Sequence, residues 1–248
     1  MKSPSIFLEL AVSALLLGAF PLNGFAQQAP PPAGQPEPPD TAGKPGRKTS
    51  NDRLFFALPN FLTLENAANV PPLTAPEKFR VTARSAFDPV EYFWYGALAG
   101  LSQLENSEPG FGQGAEGYGK RYGAYFADGT IENFMTSAVL PSLLHQDPRY
   151  FQMGHGGFLR RTGYAVSRIF VTRTDTGRHQ FNFSEILGSA ASASISAYSY
   201  HPMGDRTLPN TASVWGSQVG YDTLTFVVKE FWPDIRRKLK KAKQEPVP

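Results

Sequence analysis

A mainly α-helical single domain is the fold class this sequence predicts, a bundle of five or six helices behind a disordered, proline-rich N-terminal tether. Two observations carry that expectation. Apolar residues recur at three- and four-residue spacing through most of residues 53–240, the period of a helix with one face turned inward. Small residues repeat at four-residue intervals inside those runs (Gly96/Gly100, Gly119/Gly123 and most of 186–199), which lets helix backbones approach closely. The main competing signal is a cluster of β-prone residues from Val166 to Thr172.

The 248 residues suit one domain with tails. With no cysteine, a disulfide framework, thiolate metal sites and cysteine nucleophiles are excluded, and any catalysis must use oxygen or nitrogen groups. The 23 glycines and 22 prolines are unevenly placed, and that unevenness marks the boundaries. At the N-terminus Lys2 precedes an apolar run from Ile6 to Phe20, interrupted by Glu9 and Ser13, and small residues Gly24 and Ala26 follow. This is the layout of a secretory signal peptide cleaved after Ala26, with a run shorter than the roughly 20 residues a spanning helix needs. Export to the periplasm or outer-membrane periphery is the expectation. Residues 27–52 have almost nothing to bury and read as an extended tether.

The domain is expected from 53 to 240, with 241–248 as tail. Pro59, Pro71, Pro72 and Pro76 allow only an irregular segment first, then a helix from Ala75 to Phe87 opened by Thr74 and Pro76. A helix from Pro89 to Leu104 follows, with Val90, Phe93, Trp94, Ala97, Leu101 and Leu104 at helical spacing. Gly112, Gly114 and Gly117 match the GxGxxG pattern, but a polar turn precedes them where a phosphate cradle needs a strand, so they read as a loop feeding the next helix. Pro141 should kink or restart that helix, which ends near Asp147-Pro148.

Charge is dense between Ala138 and Gly188, where otherwise apolar sequence carries His145, Asp147, Arg149, Arg161, Arg168, Arg173 and Asp175. Such groups must pair with one another or line a cleft. The candidate catalytic residues are therefore His145, Asp147, Arg149, Arg168 and Asp175, with Ser142 or Ser167 as nucleophiles that His145 could meet. The favoured assignment is structural, with Asp147 and Asp175 neutralising arginines between 149 and 173. Residues 163–172 are expected to be helical, the alternative being a hairpin closed by Thr174-Asp175-Thr176-Gly177 onto His179–Phe183. Asn182 with Glu185 resembles a capping box for the thin helix Ser184–Ser199. The four histidines form no close ligand pair, so no metal and no cofactor is expected.

The segments PSLLHQDPRYF, GYAVSRIFVTRTDTGRHQFNFSEILG and SVWGSQVGYDTLTFVVKEFWPDIRRKL resemble a family of exported bacterial proteins of unknown function over about residues 55–240. The resemblance implies a single domain across that span and brings no activity or substrate with it.

The last helix is expected after Asn210 as N-cap, with Trp215, Val219, Leu224, Val227, Val228, Phe231 and Ile235 on one face and a bend at Pro233. Residues 229–243 carry seven basic and two acidic side chains, a net +5 against +3 for the whole chain. For an exported chain this disfavours nucleic acid and points to an anionic membrane surface or an acidic envelope protein as partner, through Trp232, Arg236, Arg237, Lys240 and Lys241. The function expected is that of a cell-envelope structural or interaction protein, the alternative being an envelope hydrolase built on the His145/Asp147/arginine cluster.

Overall fold

Thr74 opens the first helix because its backbone N–H and hydroxyl both donate to Glu77, three residues on, while Pro76 sits where no intrahelical donor is needed. The computed structural model describes residues 48–65 and 70–244, with side chains as far as Lys241; the expected signal peptide and most of the tether lie outside them. Among the described residues the chain is mainly α, with six helices and few short strands. The helices are α1 (Ala75–Ala86), α2 (Pro89–Glu105), α3 (Gly114–Phe134), α4 (Phe158–Ser167), α5 (Phe183–Ser199) and α6 (Leu208–Gln244). Among the described residues no helix is long and apolar enough to cross a membrane.

Helix α2 is capped by Asp88, which accepts from Val90 N at 3.2 Å and is gripped by both terminal nitrogens of Arg53. Helix α3 does not break at Pro141. The missing N–H and the ring are absorbed by a π-helical turn, Met135–Val139, in which Leu140 N reaches back to Met135 O, before one last turn Leu140–Leu143. Gly188 of α5 packs on that turn, where a Cβ would meet the Met135 backbone at 3.2 Å.

The GxGxxG glycines form the loop into α3. A Cβ on Gly117 would stand 2.4 Å from Gly112 O, and the same carbonyl accepts from Arg121, so the loop is closed by the protein's own backbone and guanidinium. By contrast Gly119 and Gly123, expected at a helix contact, have nothing within 4 Å and face an open groove.

Small sheets clamp the bundle. Strand β1 (Arg53–Leu54) pairs antiparallel with β2 (Leu58–Pro59), and β3 (Thr63–Leu64) runs parallel to β5 (Tyr150–Phe151). A three-stranded antiparallel sheet orders β4 (Gln146–Asp147), β6 (Val171–Thr174) and β7 (His179–Phe181). Residues 171–181 are thus a hairpin, which corrects the helical expectation. The β-branched run and the turn at Gly177, with φ of 83°, prevail once β4 offers an edge to pair with. Helix α4 ends earlier, at Ser167.

Two boundary expectations also change. Residues 48–52, assigned by composition to the tether, are bonded into the folded unit: Lys48 pairs with Glu77, Ser50 N donates to Phe61 O, and Asp52 accepts from Trp232. Helix α6 starts two residues before Asn210, and Thr207 accepts the Asn210 N–H instead. Pro233 lies inside α6 without ending it, and the carbonyl it leaves bare, Lys229 O, accepts from the Gln152 side chain.

The interior is unusually polar. Phe61, Leu73 and Val81 form an apolar cluster, yet Lys78, Arg121, Gln146, Glu230 and Ser189 are each as buried as any of them. Helix α5 turns Ser189, Ser192, Ala193 and Ser196 inward and leaves Leu187, Ile195 and Tyr198 exposed.

Candidate functional site

The charged residues between 145 and 175 are distributed over three neighbouring elements and pair in separate groups. Asp147 and Arg149 face each other at the β4–β5 corner, both buried, with three guanidinium–carboxylate contacts of 2.6–3.1 Å. Arg149 and Arg173 both lie against the Phe151 ring, at 5.3 and 4.2 Å from its centroid. Asp175, in the hairpin turn, takes both of its contacts at 2.9 Å from Lys78 of α1 and none from an arginine in the run. His145 sits in the left-handed region, φ 52°, with its ring in solvent and its Nδ1 4.0 Å from Asp175. Arg168 ends α4 and stacks over Tyr164 at 4.7 Å. Ser167 donates to Tyr164 O, and Ser142 Oγ is buried without a partner. No nucleophile–base pair forms among these residues.

Sequence periodicity passed over Lys78. It is 1 % exposed and its ammonium donates to Pro141 O, Gln146 O and the Asp175 carboxylate, so three elements converge on one cation. Glu230 plays the matching anionic role. Fully buried, it accepts from Tyr150 Oη, Met153 N, Gly154 N and Arg161 Nε at 2.8–3.0 Å. Arg161 also bonds Asp234 and Glu230 O, which anchors α4 to α6. Burial, and then the Glu230 charge, raises the Tyr150 hydroxyl pKa, so Tyr150 acts as a donor and not as an acid.

A second polar file runs between α3, α5 and α6. Asp128 accepts from Ser196, Tyr200 and His201 Nε2, while His201 Nδ1 lies 3.3 Å from Glu108. One turn along α3 is Glu132, with Glu185 and Asp222 beyond it. Burial first, and neighbouring carboxylates second, raises Glu132 and Glu185 well above the ordinary range; burial also raises Asp222, against the lowering effect of Glu185 and Lys229. The Glu185 side chain is drawn to Asp222, so only half of the expected capping box forms: Asn182 caps Glu185 N and receives nothing back. Beside this file lies an open groove of about 480 Å³ lined by Phe111, Gly119, Gly123, Ala127, Tyr200 and Pro202. Of the file, Tyr200 lines the groove and donates to Asp128. Among the described residues no group of three or more His, Asp or Glu could hold a metal ion.

His201 predicts a pH dependence. Burial acts to lower its pKa, but the bonds to Asp128 and Glu108 outweigh it and push it up to about 10 from 6.5. Because the folded value is raised, the stabilisation is complete below pH 6.5 and is lost as pH rises through about 10. Thermal melts across that window should show the stability advantage of the parent over His201→Gln shrinking as pH rises. A constant difference would mean that the imidazolium is not what the site stabilises.

At the end of α6 the expected contact residues divide. Trp232 is fully buried beneath Phe55 and Phe56, with its indole N–H on Asp52, because the preceding β1–β2 hairpin covers it. Arg236 is turned inward to Asp52 and Glu65. Neither presents a free surface contact. Arg237, Lys240 and Lys241 are exposed, Arg237 being paired with Asp234. The apolar surface near this end comes from Phe158 and Leu159 at the start of α4, for which the sequence carried only the signal of a glycine-rich GHGGFLRR segment. No family model, no curated protein and no solved structure matches this chain.

Proposed function

We propose that the chain is an exported cell-envelope protein that acts by contact, as a structural or interaction component at a membrane surface. One observation carries this: charge is spent inside while large apolar side chains stand outside. Asp147–Arg149, Lys78–Asp175 and Arg161–Glu230–Asp234 neutralise one another with buried members. Meanwhile Phe93, Leu104 and Leu159 are 79 %, 87 % and 83 % exposed, and Phe158, Leu187 and Tyr198 are more than half exposed. A hydrolase using His145 with Asp147 would need the two to converge on substrate, whereas His145 points to solvent and Asp147 is closed off by Arg149. Phe158 and Leu159 are adjacent in the chain and both exposed, and exposed apolar side chains that lie together mark surfaces that meet a partner or a membrane. The N-terminal layout and the resemblance to exported bacterial proteins agree with an envelope location.

Fractionation of cells producing the full chain, with mass spectrometry of its N-terminus, tests the proposal. The expected result is a chain beginning after Ala26, recovered with the envelope and washed off by high salt or alkaline carbonate without detergent. Recovery in the cytosol with Met1 retained, or free in the periplasmic fluid, would overturn it.

A further inference from the structure

We infer that the glycine-rich loop 154–157, the first turn of α4 and the basic end of α6 together form a docking surface for an anionic phospholipid bilayer, an inference that rests on the envelope-contact proposal above. The two elements are side by side: the Phe158 ring stacks on Phe231 at 5.2 Å, and Arg161, on the same turn, bonds Glu230 and Asp234. Residues 154–160 are all exposed, and Gly154 and Gly156 hold left-handed φ values of 67° and 100°, so the loop turns sharply before presenting Phe158 and Leu159. Its base is rigid, because Met153 N and Gly154 N are fixed on the Glu230 carboxylate. An apolar pair on a firmly held loop has the form of a wedge.

Charge around the wedge has one sign. Arg160 adjoins it, and Arg237 and Lys241 are exposed further along α6, with Lys241 on the side of the helix nearer to Phe231 than to the opposite face. The acidic groups on the packed elements are already engaged: Glu230 is buried, Asp234 is bridged by Arg161 and Arg237, and Glu65 is bonded by Arg236. A bilayer suits this combination, since Phe and Leu enter the acyl boundary while lysines and arginines lie at the phosphate plane. An acidic folded protein would meet the charges but would need a pocket for two protruding apolar side chains.

Co-sedimentation of the chain from Gln27 to Pro248 with phosphatidylcholine vesicles, alone or mixed with phosphatidylglycerol, tests the surface. Binding is expected to the mixed vesicles only, and to fall with salt. Because each basic group near an anionic bilayer contributes roughly fivefold, Arg160→Glu with Lys241→Glu should lower binding by more than about tenfold. Leu159→Asp should lower it at low salt as well. All three positions are exposed, so melting temperatures should match the parent. Equal binding to neutral vesicles, or undiminished binding by both variants, would overturn the surface. A chain that fractionates with the envelope but binds no vesicle would also overturn it while leaving the envelope proposal standing; a chain that does neither would remove both.

Discussion

Glu230→Leu should lower the unfolding free energy by about 3–5 kcal/mol, a large part of the 5–15 kcal/mol of an ordinary domain. The carboxylate is fully buried and accepts four donors from three elements. Leucine matches its bulk but leaves Arg161 Nε, Tyr150 Oη and two backbone N–H groups without an acceptor, and an orphaned buried donor costs about 1–3 kcal/mol even when neutral. Glu230→Gln should also be severe, because one of its two atoms becomes a donor facing donors. Asp234→Asn breaks a bond to the same arginine at a partly exposed site and should cost about 1 kcal/mol or less. Urea denaturation separates these cases. A loss below about 1 kcal/mol for Glu230→Leu would mean that the network is not what joins α4 to α6.

Lys78→Met should be of similar size, about 3–5 kcal/mol, for the converse reason. Methionine preserves the stem but leaves Pro141 O, Gln146 O and Asp175 without their shared donor. Asp175→Asn should cost no less, because the group it leaves without a counter-charge, Lys78, is almost fully buried, whereas Asp175 retains solvent contact. Combining the two should recover part of the cost, since the carboxylate left unpaired by the first change is gone in the double variant. Strict additivity in denaturant melts would argue against direct pairing.

The helices were legible because their signals are local. Thr74-Ala75-Pro76 and Asp88-Pro89 write helix starts in adjacent residues, and the spacing from Val90 to Leu104 is a property of one segment. The hairpin at 171–181 was legible only as the alternative to a helix, because its strands gain stability from β4, which is distant in the chain, and propensity alone cannot weigh a partner edge. Paired charges divide along the same line. Asp147 and Arg149 are two residues apart and their pairing could be anticipated, whereas Lys78–Asp175 spans 97 residues and Arg161–Glu230 spans 69. Trp232 misled for a related reason: amid basic residues it resembles an interfacial anchor, and only the fold brings Phe55 and Phe56 over it. The polar interior of α5 was visible as a run of serines and alanines, but its outward leucine, isoleucine and tyrosine are read as unusual only once the inward face is known.

Hydrogen–deuterium exchange of the full chain, with and without anionic vesicles, tests most directly whether this domain acts by surface contact. Slowed exchange is expected at residues 154–160 and in the last turns of α6, with the groove beside Gly119, Gly123 and Tyr200 unchanged. Unaltered exchange at 154–160, or protection confined to that groove, would contradict it.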